Sequence, residues 1–498
     1  MRATDLGRVG VTGALAAAVL TLMTGCVVGP DYMRPTVATP DAYKEVAGWK
    51  VARPQDGEAR GAWWEILGDA QLNALEEQVS VSNQTLAVAE ATYREARALV
   101  REARAAYFPT LTVGIGATRS RQSSTLGLSS GGGRSSGGGV SSGPRWDLTS
   151  PLSVSWEPDF WGRIRRTVES SQASAQASAA DLETSRLSLQ AELAQDYFQM
   201  RALDAQKQLL DETAAAFQKS LELTRNRYAS GVASRADVVQ AETQLKTTQA
   251  QAIDVGVQRA QLEHAIAVLV GQAPAGVSLP AAPLTATPPS IPVGVPSELL
   301  ERRPDVAAAE RRVAAANAQI GVALAAYFPI VTLGASGGFE SSSVSQWFTW
   351  PSRFWSAGPS ISELVFDGGL RRAQTDQARA AWDASVAAYR QTVLTAFQGV
   401  EDNLAALRIL EDEARVQAEA VKSAQESVTL TTNQYKGGIV SYLNVITAQT
   451  IALSNEATAV QIRGRRMTAA VLLIQALGGG WDASALTMVD AIGERSRR

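Results

Sequence analysis

A single cysteine, Cys26, and a single histidine, His264, leave this 498-residue chain almost nothing from which to build a zinc, iron–sulfur or cysteine–histidine centre. No disulfide can close within one chain. His264 falls on a helical stretch with no partner cluster and reads as structural. The Gly-Gly-Gly runs between Ser120 and Ser142 lack the strand-to-helix context of a phosphate loop, and their Gly/Ser composition reads as a flexible loop. Arg302-Arg303-Pro304 reads as a helix start and packing motif rather than an anion site. A net charge of −3 with interspersed signs gives no basic footprint, so no nucleic-acid partner is expected. No nucleophile–base pair or metal constellation clusters or repeats, so the sequence points to no enzyme, no cofactor and no metal.

The cysteine has a context of its own. Arg2 and Arg8 precede an apolar stretch from Val11 to Met23, and small residues follow up to Cys26, the pattern of a secretory leader. Leu22-Met23-Thr24-Gly25-Cys26 resembles a lipobox, which implies cleavage before Cys26 and acylation of its thiol, with more than one acyl chain for stable anchoring. Val27 stands after the cysteine instead of aspartate, and the resemblance to bacterial lipoproteins then implies sorting to the outer membrane. Beyond the leader no run of 18 apolar residues follows, so no spanning helix is expected. A mature chain that crosses a membrane must do so as a closed barrel.

The elements behind this pattern are written twice. Ala105-Ala106-Tyr107-Phe108-Pro109 returns as Ala325-Ala326-Tyr327-Phe328-Pro329, Gly162 to Arg166 as Gly368 to Arg372, and Arg227-Tyr228-Ala229-Ser230-Gly231-Val232 as Gln434-Tyr435-Lys436-Gly437-Gly438-Ile439. The first pair is offset by 220 residues and the last by 207; the extra length of the first copy lies in the Gly/Ser tract. Each half reads as a helix (near Leu72–Ala106 and Pro304–Ala326), two alternating segments, and two long helices. The long helices fall near Arg163–Ala229 and Ser234–Leu269, then Leu370–Lys436 and Ser441–Leu477. Heptads run along them: Val386, Val393, Val400, Leu407 and onward to Tyr435, with Leu182, Leu189, Leu203, Leu210 and Phe217 in the first copy, where Asp196 interrupts. A helix of about 66 residues rises roughly 100 Å, a rod no compact domain needs.

The short segments alternate. Leu111, Val113 and Ile115, then Leu152, Val154 and Trp156, then Val331, Leu333 and Ala335 are separated by Thr, Ser, Gly or Glu. Strands with lipid outside and water inside require this pattern, and so does a half-buried soluble sheet. Four strands cannot close a barrel, so a barrel needs several chains. Aromatics such as Tyr107, Trp156, Trp161, Phe328, Trp347 and Trp355 gather near the ends, as at membrane interfaces. Glu363 would share the apolar face if alternation continued past Ile361.

Taken together, Cys26 with Gly29-Pro30-Asp31-Tyr32 and Arg34-Pro35, Trp63-Trp64 with Leu72 and Leu75, Pro296 to Asp305, and both Tyr-Phe-Pro motifs make the chain similar to the TolC-like outer membrane factor family, lipoprotein branch. The resemblance implies a mainly α fold with a small β part: antiparallel coiled-coil helices forming a periplasmic α-barrel, and four strands per chain in a twelve-stranded trimeric barrel. It implies as partners a homotrimer, outer-membrane lipid, a periplasmic adaptor and an inner-membrane efflux transporter. It implies a passive duct exporting small amphipathic compounds. A duct for metal efflux or type I protein secretion, and a structural coiled-coil envelope lipoprotein, are the alternatives.

By the same resemblance the gate lies just beyond the second turn. Asp237 matches a carboxylate linking to a neighbouring coil, Tyr435 and Lys436 its tyrosine and basic partner, and Leu443 an apolar constriction. Asp237 also reads as a helix N-terminal carboxylate favouring the dipole. Lys436 stands where arginine is frequent and lacks its bidentate fork. Asn444 and Thr447 occupy positions that are often acidic, so no carboxylate ring carries over. The turns at Ser230-Gly231 and Gly437-Gly438 match adaptor-contacting tips. The resulting organisation is a leader (1–25), a lipidated segment with part of an equatorial belt (26–70), a first repeat (71–271), a Pro-rich linker (272–296), a second repeat (297–478) and a tail (479–498).

Overall fold

The computed structural model describes residues 27–40, 42–45, 62–121, 144–289, 291 and 302–479. Cys26, nearly all of the Gly/Ser tract and all but the first residue of the tail lie outside them. Two compact units emerge, one holding the strands and the adjoining helix ends, the other holding the rest of the helices. The described residues form seven α-helices: α1 (Ala70–Ser82), α2 (Gln84–Ala105), α3 (Arg163–Ala229), α4 (Arg235–Leu269), α5 (Pro304–Ala325), α6 (Leu370–Lys436) and α7 (Tyr442–Ala476). The long helices α3 and α6 each have 67 residues, about 100 Å.

The strand segments are β1 (Thr110–Val113), β2 (Gly116–Ser120), β3 (Arg145–Trp156), β4 (Ile330–Ser341) and β5 (Arg353–Ser362). β1 and β2 both pair antiparallel with β3 in one register, Val113 opposite Leu152 and Gly116 opposite Thr149. They are a single strand interrupted at Gly114, whose N–H donates to the Pro151 carbonyl at 2.9 Å while proline has no N–H to return. The sheet therefore holds the four expected strands, ordered β1/β2, β3, β4, β5, all antiparallel.

The register sorts every side chain to one face or the other. One face carries Leu111, Val113 and Ile115 beside Val154, Leu152, Ala335, Ala357 and Trp355. The other carries Thr110 and Thr112 beside Ser155, Ser153, Gly334, Ser336, Ser356 and Ser360. The apolar face is as uncovered as the polar one: Ile115 is 77% exposed, Ile361 71% and Trp355 82%. A half-buried soluble sheet would cover that face, so the ambiguity left by periodicity resolves towards lipid. Strand β5 ends at Ser362, so alternation does not reach the exposed Glu363.

Where strands meet helices, aromatics anchor the junction. Trp156 Nε1 donates to the Tyr107 carbonyl at 2.9 Å, and Trp161 Nε1 donates to the Pro329 carbonyl at 2.8 Å while its ring stacks on Phe328. Both long helices begin on an aspartate cap: Asp159 accepts from the N–H groups of Ile164 and Arg165, and Asp367 from those of Gly369 and Arg371. The N-terminal segment docks at the same level. Arg166, 4% exposed, donates to the Gly29 carbonyl and pairs with Asp31 and Glu169. Gly29 has φ +104°, and a Cβ there would stand 2.5 Å from Gly321 Cα. This contact explains the Gly-Pro-Asp motif.

In the other unit, the helix expected as one element near Leu72–Ala106 is two. Asn83 interrupts it in extended conformation; its Oδ1 accepts from the Leu86 N–H at 2.9 Å and its Nδ2 donates to the Leu269 carbonyl at 2.7 Å. A side chain that caps one helix and ties down the end of another outweighs helical propensity there. Trp63, Leu72 and Leu75, which carry part of the family resemblance, are buried. The heptad residues Val393, Val400, Leu407, Leu210 and Phe217 are buried. Arg303 pairs with Asp305 and donates to the Ala476 carbonyl at 2.8 Å, closing the last turn of α7, so the Arg-Arg-Pro motif is a packing device.

The proline-rich stretch after α4 is pinned rather than loose over its described residues. Asp204, its side chain 2% exposed, pairs with Arg201 at 3.1 Å and Arg259 at 2.8 Å and accepts from the Ala282 N–H. Arg201 donates to the Pro280 carbonyl and Arg259 to that of Leu279. No described helix is long and apolar enough to cross a membrane.

Candidate functional site

The hairpin tips carry the residues singled out from the sequence. Both turns close α-helices in the same way. Gly231 donates to the Tyr228 carbonyl and Val232 to that of Arg227; Gly438 donates to the Tyr435 carbonyl and Ile439 to that of Gln434. Gly231 and Gly438 each sit at φ +75°, the left-handed residue this closure needs. Ser230, Gly231, Gly437 and Gly438 are all exposed.

The helices that leave the turns begin differently. α4 has a capping box: Ser234 Oγ accepts from the Asp237 N–H at 3.1 Å, and Asp237 Oδ2 accepts from the Ser234 N–H at 2.9 Å. In the second copy Ser441 makes no side-chain cap, and Asn444 occupies the position of Asp237. One turn is thus fastened by two side-chain bonds that the other lacks.

Inside the tips, Phe217, Leu221, Ala241, Leu245, Tyr435, Tyr442 and Val445 form one buried cluster drawn from α3, α4, α6 and α7. Tyr435 and Tyr442 lie 5.3 Å apart between ring centres. The Tyr435 hydroxyl is buried and has no hydrogen-bond partner. Burial raises the Tyr442 hydroxyl pKa above its ordinary value, against hydrogen bonds with Ser220 and Thr224. Arg227 lies over the Tyr435 ring at 4.8 Å and donates to the Lys436 carbonyl at 3.2 Å.

The expected gate residues therefore divide. Tyr435 and the Lys436 backbone are joined to α3 through Arg227. Asp237 is engaged in its own helix cap, and it forms no ion pair with Lys436 within the chain. Lys436, Leu443, Asn444 and Thr447 are exposed, with Leu443 at 54%. Sequence reasoning missed Arg227, Ser234 and Tyr442. The spacing Ser234-x-x-Asp237 was a visible capping signal; nothing local in sequence pairs Arg227 with Tyr435. His264 is exposed on α4, and no metal-holding group of His, Cys, Asp or Glu occurs among the described residues.

The family described as Outer membrane efflux protein matches residues 75–272 and 295–479. The chain belongs to this family. Among its relatives are the toluene efflux pump outer membrane protein TtgF of Pseudomonas putida, 31% identical over 95% of this chain and 97% of that one, and the outer membrane protein OprJ of Pseudomonas aeruginosa, 32% identical over 94% and 96%. The solved outer-membrane channel OprN superposes with a TM-score of 0.83 at 32% identity, covering 92% of this chain and all of that one. The open-state MtrE channel of Neisseria gonorrhoeae gives 0.78 at 26%, over 92% and 99%. The chain is thus the outer-membrane channel component of a tripartite efflux pump, its strands in the outer membrane and its helical body in the periplasm. Its relatives are channels and efflux proteins, not enzymes.

Proposed function

We propose that three copies of this chain form a passive duct for small amphipathic compounds, sealed at its periplasmic end by the hairpin tips. The observation that carries the reading is the sheet: four strands with one face apolar and bare, and with both edges, β1/β2 and β5, unpaired among the described residues. Exposed strand edges are not tolerated in lipid, so sister copies must complete the wall. Twelve strands follow from three copies.

In this reading Leu443 narrows the lumen, and Lys436 and Asp237 bridge neighbouring coils when the duct is shut. Tyr435 acts from within the tip, its ring seating Arg227. The uncapped start of α7 is the looser of the two turns and the one that moves. The exposed turns at Ser230-Gly231 and Gly437-Gly438 meet a periplasmic adaptor coupled to an inner-membrane transporter, which supplies the energy. Cys26 carries acyl chains. Its neighbours support this: the Val28 N–H donates to the Trp161 carbonyl at 3.2 Å, at the strand–helix junction where the membrane boundary falls. A strain stripped of its own ducts tests the function. Expression of the full chain with a matching pump should restore resistance to several amphipathic compounds; unchanged susceptibility contradicts drug export.

A further inference from the structure

The apolar face of the sheet ends in two arginines. Along the first strand that face runs Leu111, Val113, Ile115, Ala117 and then Arg119, which lies opposite Trp146. Along β5 it runs from Ile361 back to Trp355 and then Arg353, opposite Phe339. Both arginines stand at the end farthest from the helices, hence on the outer side of the membrane. From Ile361 to Arg353 the strand rises about 27 Å, or about 20 Å along the membrane normal at the usual barrel tilt. An outward apolar band is about 25 Å tall, so Arg353 falls at its outer rim, where a lipid-facing cation is tolerated.

Each guanidinium is seated on a tryptophan. The Arg119 carbon stands 5.6 Å from the Trp146 ring centre, and that of Arg353 3.1 Å from the Trp350 ring, with Nε donating to the Trp350 carbonyl at 3.1 Å. The loop bearing Trp350 lies on the lipid side, because Phe348 packs 5.6 Å from Phe339 of the apolar face. Among the described residues neither arginine meets a carboxylate, and the terminal nitrogens of Arg353 find no acceptor. The carboxylates at this level, Asp147 and Glu340, belong by alternation to the polar face.

We infer that Arg119 and Arg353 bind phosphorylated lipid headgroups of the outer leaflet. A guanidinium offers a planar fork matched to phosphate oxygens, and the tryptophan beneath holds it flat at headgroup depth. The two residues lie on opposite edge strands. Closing the ring by edge pairing brings the Arg353 strand of one copy beside the Arg119 strand of the next, giving three such seams. The inference rests on the outer-membrane ring proposed above.

The test is native mass spectrometry of the full chain in detergent with added hexa-acylated bisphosphoryl lipid A. The natural chain should retain it. The double variant Arg119→Gln/Arg353→Gln should retain at least about fivefold less, and Arg119→Lys/Arg353→Lys an intermediate amount. Arg145→Gln, at the same height on the polar face, should bind as the natural chain does. Equal retention by the glutamine double variant, or an equal loss in Arg145→Gln, overturns the inference. Binding of inorganic phosphate alone, with no lipid retained, overturns it as well. The same spectra report the number of chains, so a failure of the ring is read separately from a failure of the lipid site.

Discussion

Arg227 on α3 and Tyr435 on α6 meet face to ring at 4.8 Å, and the same arginine holds the Lys436 carbonyl. It is a polar link from the first hairpin to the base of the second turn, beside the hydrogen bonds of Tyr442 with Ser220 and Thr224, and it runs through residues that the internal repeat does not equate. A cation over a partly desolvated ring contributes on the order of 0.5–2 kcal/mol. Arg227→Ala should therefore loosen the tip and raise single-channel conductance in planar bilayers several-fold. Tyr435→Phe keeps the ring and removes only a hydroxyl that has no partner, so its conductance should match the natural chain. A large increase in Tyr435→Phe would assign the hydroxyl a contact with a sister subunit.

The capping box separates two roles for Asp237. Ser234→Ala removes the cap but leaves the carboxylate, at a cost of about 1 kcal/mol to the helix start. If Asp237 bridges coils, the double variant Asp237→Ala/Lys436→Ala should raise conductance well beyond Ser234→Ala. Equal effects would assign Asp237 to the cap alone.

Asp204 fastens the segment after α4 through Arg201, Arg259 and the Ala282 N–H. Asp204→Ala leaves the buried Arg201 without its carboxylate and Arg259 with Glu263 alone. The expected loss is about 3–5 kcal/mol, visible as a lowered thermal midpoint and as earlier proteolysis between Leu279 and Leu284. A midpoint unchanged within about 1 °C would contradict the pinning role.

Glu76 on α1 is fully buried, and neither carboxyl oxygen has a partner. Burial raises its pKa from the ordinary 4.5 to about 9. The folded protein therefore holds a proton there that the unfolded chain releases above pH 4.5. Stability contributed by this site declines as pH rises from about 4.5 to 9. Glu76→Gln removes that decline, so its thermal midpoint should exceed the natural one by about 5 °C at pH 8 and by little at pH 5. A difference independent of pH would show that the carboxyl is not the titrating group.

Much of this was legible in sequence. The ends of α3, α6 and their partners fell where glycine turns and heptads put them, because left-handed glycines and a seven-residue apolar period are local signals. The Asn83 break was not, since the side chain is used against the Leu269 carbonyl 186 residues away. Alternation in the strands fixed their two faces but left lipid and soluble core equivalent; only the uncovered state of Ile115 and Trp355 separated them. At the tips, Tyr435 and Lys436 were found by resemblance, whereas Arg227 emerged only when α3 and α6 were set side by side.

The most direct measurement is the mass of the purified full chain in detergent. Three chains in one particle, lost when detergent is withdrawn, are predicted, because each sheet leaves an apolar face and two edges for lipid and sister copies to cover. A stable monomer in plain buffer would contradict the account.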